Sequence, residues 1–225
     1  AQCAIGPIIM TTVITPSILA ENVDQYKEQI ERITGFAERA HVDISDGQFA
    51  PNLTVGLRDL WAPEGWQIDI HAMVKNVDEY IEDLVALRPN MILLHAESDG
   101  DVLGALQKIK QADIKAGLVL MRPTVPSTVV DLIKAADHVM IFSGELGRFG
   151  GSASLMQLEK IRLIKDINPA VEIGWDGGVM PDNAYGLAHS GVNVLVVGGA
   201  IQKSPNPREA YQNIQNEINK KGMLG

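Results

Sequence analysis

The chain has 225 residues, 46% hydrophobic and 21% charged, a make-up that fits a folded globular protein and excludes a disordered one. A formal net charge of −9 with no basic stripe excludes nucleic acid as a partner, and no run of about 18 apolar residues offers a membrane span. The single cysteine, Cys3, excludes a disulfide framework and suits a reducing, cytoplasmic setting; residues 1–14 are apolar but lack a basic leader and are not read as a secretory signal.

Taken in chain order, β-branched or apolar runs at 12–18, 40–44, 67–73, 91–95, 115–120, 138–142, 171–175 and 193–197 have the length of buried strands. Helical spacing fills the gaps. Val23, Tyr26, Ile30 and Ile33 follow the possible cap Asn22; Val77, Tyr80, Ile81, Leu84 and Val85 make a second stripe, and Leu155, Leu158, Ile161 and Ile164 a third. Pro181 and Pro207 stand where first helical turns should begin. Successive strand starts lie 28, 27, 24, 24, 23, 33 and 22 residues apart. Crossovers of that length demand parallel strands, and eight near-equal units predict an α/β fold, a closed (β/α)8 TIM barrel. An open doubly wound sheet is the alternative built from the same units. No linker divides the chain, so residues 1–225 are expected to form one domain, with 1–11 as an extension ahead of the first strand.

In such a barrel the active site lies at the C-terminal ends of the strands. Polar residues collect there: His41, Asp43 and Asp46 on the second strand, Asp69 and His71 on the third, Asp176 on the seventh. His41 and Asp43 are two apart on a strand and so share a face. Facing the barrel interior, they would meet His71 and Asp176, a donor set for a divalent cation such as zinc, iron, manganese or cobalt. The competing reading is two buried His–Asp pairs that satisfy one another. His95, His138 and His189 receive no role; His138 begins a strand and His189 lies on a helix.

Glycine pairs follow three successive strands, at Gly150-Gly151, Gly177-Gly178 and Gly198-Gly199. Such loops let backbone approach a ligand closely, and barrels of this type hold phosphate groups with the loops after strands seven and eight. A small phosphorylated molecule beside a metal site is the expected partner.

The residues now named resemble those of the ribulose-phosphate 3-epimerase family over nearly the whole chain. The most specific stretch is His41-Val-Asp-Ile-Ser-Asp-Gly-Gln-Phe-Ala-Pro-Asn-Leu-Thr54, supported by Asp69-Ile-His71-Ala-Met73, Leu94-His95-Ala96-Glu97, Lys115-Ala-Gly117 and Phe149-Gly150-Gly151. The resemblance implies His41, Asp43, His71 and Asp176 as ligands of one divalent metal ion, and Asp43 and Asp176 as an acid/base pair. It also implies Ser17 as a substrate contact and Phe149, Gly150, Gly151, Gly177, Gly178, Gly198 and Gly199 as phosphate-side loops. The implied reaction interconverts D-ribulose 5-phosphate and D-xylulose 5-phosphate through an enediolate, in a homo-oligomer.

Departures from the family pattern gather near the expected substrate. Ser45 and Phe142 stand where methionines are usual, Gly199 replaces a serine, and Trp175 replaces a small aliphatic residue. The sixth-strand loop, which contains Arg148, is one residue longer, and Met121-Arg122-Pro123 replaces Asn-Pro-Ala. Arg148 is a candidate for the lost serine contact; the competing reading leaves Arg122 and Arg148 as solvated charges. An epimerase of another ketose phosphate is the first alternative, and a catalytically silent sugar-phosphate-binding barrel the second. Related decarboxylases, condensing synthases and Schiff-base aldolases need a strand-end lysine that neither Lys75 nor Lys115 supplies.

Overall fold

The computed structural model describes residues 12–220; Cys3 and the expected extension 1–11 lie outside the described residues. Eight strands form one closed parallel barrel in chain order: β1 Val13–Ile18, β2 Arg39–Ser45, β3 Gln67–Met73, β4 Met91–His95, β5 Lys115–Leu120, β6 His138–Phe142, β7 Glu172–Asp176 and β8 Val194–Val197. Closure is made by β1 pairing with β8 from Val13↔Val194 to Pro16↔Val197, which removes the open-sheet alternative. The expected strands lie within a residue of these bounds.

Between β1 and β2 runs α1 Val23–Ile33, whose first turn is capped by Asn22 Oδ1 accepting from the Gln25 N–H at 3.0 Å. Tyr26, Ile30 and Ile33 are buried, while Val23, expected in the same stripe, is exposed at the helix start. Two other stripes are split by tighter turns: a 3-10 turn at Val77–Glu79 precedes α2 Ile81–Ala86, and one at Leu155–Leu158 precedes α5 Glu159–Ile167. The remaining crossovers are α3 Val102–Gln111, α4 Val130–Ala135 and α6 Pro181–His189. After β8 come a short extra helix, α7 Gly199–Gln202, and α8 Pro207–Ile218; Pro181 and Pro207 open their helices as expected.

The β2–β3 connection has only a 3-10 turn, Leu57–Asp59. Gly47, Pro51, Gly56, Pro63 and Gly65 break helix formation along it. It packs through Trp61 on α1, where the Tyr26 hydroxyl donates to the Trp61 carbonyl at 2.7 Å.

Alternation along each strand builds two cores. Outward residues such as Ile18, Val42, Ile70, Leu94 and Trp175 pack under the helices, and Met91, Leu93, Val119, Met140, Phe142 and Val196 fill the barrel. Gly174 on β7 leaves room inside: a Cβ there would collide with the His138 ring and lie 2.7 Å from Met140 Sδ. His138 Nδ1 sits 2.7 Å from Glu172 Oε2, and Asp69 binds Arg39 and Asn90 at 2.7 and 2.6 Å. His138 is therefore structural, while His189 is exposed against the Tyr185 carbonyl. No helix of the described residues is long and apolar enough to cross a membrane.

Candidate active site

At the C-terminal end of the barrel, strand register sets the neighbours. Asp43 on β2 pairs with His71 on β3, Ser17 on β1 with His41, and Phe142 on β6 with Asp176 on β7. His71 Nδ1 lies 2.8 Å from Asp43 Oδ1 and 3.9 Å from Asp176 Oδ2; His41 Nε2 lies 3.4 and 3.9 Å from the same oxygens. One ligand atom from each of the four residues falls within 4.8 Å of the others. Mutual His–Asp pairing does not satisfy the cluster: His41 Nε2 is buried, faces both carboxylates and accepts or donates no hydrogen bond. Two imidazoles and two carboxylates converging around such an atom are a donor set that fits a divalent cation.

The two carboxyls differ electrostatically. Burial would raise the Asp43 carboxyl, but His41 and His71 beside it outweigh burial and hold it at about 2. Burial and then the Asp43 charge push Asp176 up to about 6. For His41, burial favours the neutral ring, yet the surrounding carboxylates of Asp43, Asp176 and Asp69 prevail and raise it.

His95 is closer to this chemistry than its sequence context suggests. It is fully buried on β4, its Nε2 is 2.8 Å from His71 Nε2, and its Nδ1 faces Glu97 Oε2 at 3.3 Å. Burial pulls its pKa down to about 4, so the ring is neutral, whereas Glu97 is held below its ordinary value because hydrogen bonds outweigh burial. The signal in the sequence is the pair His95-x-Glu97, with His95 closing β4 and Glu97 in the turn just beyond it.

Above the cluster opens a cleft of about 220 Å³ lined by Ser17, Asp43, Met73, Phe142, Asp176 and Val196 below. Arg148, Phe149, Gly150, Gly151, Gly177, Gly178, Gly198 and Gly199 line its walls. All the expected substrate-side residues thus meet at one place, with His41 and His71 buried beneath. Lys203, just past α7, also lines it and was not anticipated; it lies one helical turn beyond Gly199. Neither Lys203 nor Arg148 pairs with a carboxylate among the described residues, while Glu145 adds one anionic side chain to the wall. A hollow at the opposite end of the barrel, lined by Val13, Phe36, Arg39, Trp66 and Tyr211, contains none of the four ligand residues.

Two glycines are required by packing as well as by any ligand. Gly177, at φ +106°, has the Gly144 backbone where a side chain would go, and a Cβ on Gly198 would sit 2.6 Å from both Ser17 Oγ and Phe149 Cδ1. Three departures resolve differently from expectation. Trp175 points into the helix layer, not toward the cleft, and its indole N–H donates to the Gly177 carbonyl at 2.9 Å. Arg122 is neither a ligand contact nor a free charge: it donates to the carbonyls of Ser143 and Ser152 and ties down the β6–β7 loop. Ser45 is buried beside that region, within 3.3 Å of the Gly47 N–H, and does not line the cleft.

A family model described as "Ribulose-phosphate 3 epimerase family" matches residues 13–202. The chain belongs to this family. Among its relatives, the ribulose-phosphate 3-epimerase of Helicobacter pylori is 34% identical over 211 residues, covering 90% of this chain and 96% of that protein. That of Aquifex aeolicus is 34% identical over 196 residues, covering 84% and 88%. As a member of the family the chain is an isomerase, an epimerase acting on carbohydrates. Solved structures similar in fold include a 3-hexulose-6-phosphate synthase from Salmonella typhimurium, with TM-score 0.67, 14% identity and coverage of 91% of this chain and 97% of that one. An orotidine 5'-phosphate decarboxylase from Pyrococcus horikoshii has TM-score 0.64 and 16% identity, covering 93% and 100%. At that identity they share the barrel and nothing more specific: Lys75 and Lys115 of this epimerase-family chain are exposed and outside the cleft.

Proposed function

We propose that this chain is a divalent-metal-dependent 3-epimerase that interconverts D-ribulose 5-phosphate and D-xylulose 5-phosphate, with His41, Asp43, His71 and Asp176 as the metal ligands. The observation that carries the reading is the convergence of four ligand atoms within 4.8 Å, from three strands, at the floor of a cleft.

A hydrogen on a carbon next to a ketone is a weak acid, and a carboxylate of ordinary pKa near 4 does not remove it unaided. When bound, the metal supplies Lewis-acid stabilisation of the negative charge that develops on the substrate oxygens. The chain's own residues do the rest. Inversion needs proton transfer on both faces of a planar intermediate, and Asp43 and Asp176, on β2 and β7, are the two carboxyls at the cleft floor. Ser17 contacts the sugar, and Phe149 with the glycine loops holds the phosphate end, where Arg148 and Lys203 stand free to pair with it.

Phe142 and Arg148 favour a second reading, epimerisation at C3 of a different ketose phosphate, because they alter the shape and charge of the wall that the sugar meets. A panel of pentulose, hexulose and tetrulose phosphates given to metal-replete protein tests both. Epimer formed fastest from D-ribulose 5-phosphate supports the first; a faster hexulose or tetrulose phosphate replaces it with the second; no epimer from any overturns the function.

A further inference from the structure

We infer that His95 and Glu97 are positioning residues: a Glu97–His95–His71 relay that places the proton of His71 on Nε2 and reserves its Nδ1 for a cation. This rests on the metal-centre reading above.

The polarity of the relay is set at its far end by a group that cannot reverse. Glu97 Oε1 accepts from the backbone N–H of Met121 at 2.9 Å, and the Thr124 hydroxyl donates to the same oxygen. A backbone N–H is only ever a donor. With those two donors on Oε1 and His95 beside it, the carboxyl is held below its ordinary value and stays ionised. Its second oxygen is therefore an acceptor as well, and the ring nitrogen facing that oxygen, His95 Nδ1 at 3.3 Å, must bear a hydrogen. A neutral imidazole with hydrogen on Nδ1 presents a lone pair at Nε2. That lone pair faces His71 Nε2 at 2.8 Å, so His71 must be the donor there. What remains on His71 is Nδ1, directed at Asp43 Oδ1 and Asp176 Oδ2 at 2.8 and 3.9 Å, where a metal ion, or in its absence a proton, is called for. Any other tautomer sets two lone pairs or two hydrogens against each other along the chain.

The rings cannot turn away from this arrangement. His95 is fully buried between Phe49, with centroids 4.6 Å apart, and Phe142 at 5.9 Å. The anchor is held too, since Lys160 donates to the carbonyls of Met121 and Arg122 at 2.7 and 3.0 Å. The second imidazole has no such support: His41 Nδ1 is buried without a partner among the described residues. Orientation of a metal-bound histidine through its other nitrogen raises affinity, and loss of the partner lowers it about 10- to 100-fold.

Glu97→Gln tests the relay because it keeps the shape and inverts the polarity. Its carbonyl stays with the Met121 N–H, its amide hydrogens turn to His95 Nδ1, and the hydrogen of His71 is driven toward Nδ1. The variant should bind zinc and cobalt about 10- to 100-fold more weakly than wild type in chelator competition, with an unchanged melting temperature of the ion-free protein. Two-bond 1H–15N spectra of histidine-labelled, zinc-loaded wild type should show hydrogen on Nδ1 of His95 and Nε2 of His71. Equal metal affinity in wild type and Glu97→Gln, or hydrogen on Nε2 of His95 in wild type, overturns the relay alone. A wild-type protein that takes up neither metal overturns the metal-centre reading, and the relay's purpose with it.

Discussion

Asp43 and His71 occupy paired positions on neighbouring strands, and Asp43 Oδ1 lies 2.8 Å from His71 Nδ1, so one rung of the barrel supplies two of the four groups at the candidate centre. His41, two residues before Asp43, reaches the same face from β2, and Asp176 arrives from β7 across the barrel. The centre therefore depends on barrel closure and on no flexible loop.

The two carboxylates should prove individually indispensable. Asp43→Asn and Asp176→Asn are each expected to lower turnover by about 10²- to 10⁴-fold, the span attributable to a general acid or base. Exchange of the substrate C3 hydrogen with solvent separates their parts: full exchange and epimerisation in either variant removes that residue from proton transfer.

At the phosphate side, Arg148→Ala and Lys203→Ala should raise KM with little change in kcat, since both residues line the cleft and neither belongs to the four-residue cluster at its floor. Steady-state kinetics at two ionic strengths checks this, because the wild-type KM should rise with salt more than that of either variant. An unchanged KM in both variants excludes them as substrate contacts.

Gly198→Ala probes the wall by shape. The added Cβ would sit 2.6 Å from Ser17 Oγ and 2.6 Å from Phe149 Cδ1, so one or both must shift. Overpacking of this kind costs about 1–3 kcal/mol. The expected result is a KM raised about tenfold, with a folded, metal-binding protein; a kinetically silent variant means that neither Ser17 nor Phe149 contacts substrate.

Stability should respond to acid through the lower end of the barrel. Burial tends to raise the Glu172 carboxyl, but the hydrogen bond from His138, at 2.7 Å, and the nearby His138, Arg39 and Lys115 together outweigh it and hold the carboxyl below its ordinary value. A carboxylate shifted down on folding adds stability that is fully present above its unfolded pKa of about 4.3 and is lost as pH falls through the folded value. Glu172→Gln should therefore cost on the order of 1 kcal/mol at neutral pH, a figure reduced by the partial exposure of Glu172, and nothing in strong acid. Denaturant melts across pH check the slope; parallel curves for wild type and variant contradict it.

Much of this was legible from the chain. Eight β-branched runs at near-even spacing define the strands, and the period-two alternation at His41 and Asp43 places both inside the barrel. Closure itself needed the pairing of β1 with β8, which no local pattern carries. His95 receives no role from the sequence because its partner stands on another strand, and the distance of 2.8 Å between its Nε2 and that of His71 is a product of the fold. Trp175 stands among the departures grouped near the substrate, but it is next to Asp176, and adjacent residues on a strand face opposite sides. Arg122 was ambiguous because its partners, the carbonyls of Ser143 and Ser152, are backbone groups with no sequence signature.

The most direct measurement is a metal titration of chelator-treated protein, read by both uptake and epimerisation of D-ribulose 5-phosphate, with His41→Ala in parallel. One divalent ion bound per chain, activity returning in step with uptake, and neither in His41→Ala is the predicted result. Full epimerase activity in protein verified to be free of metal, or tight stoichiometric uptake by His41→Ala, would contradict a four-ligand centre at the floor of this barrel.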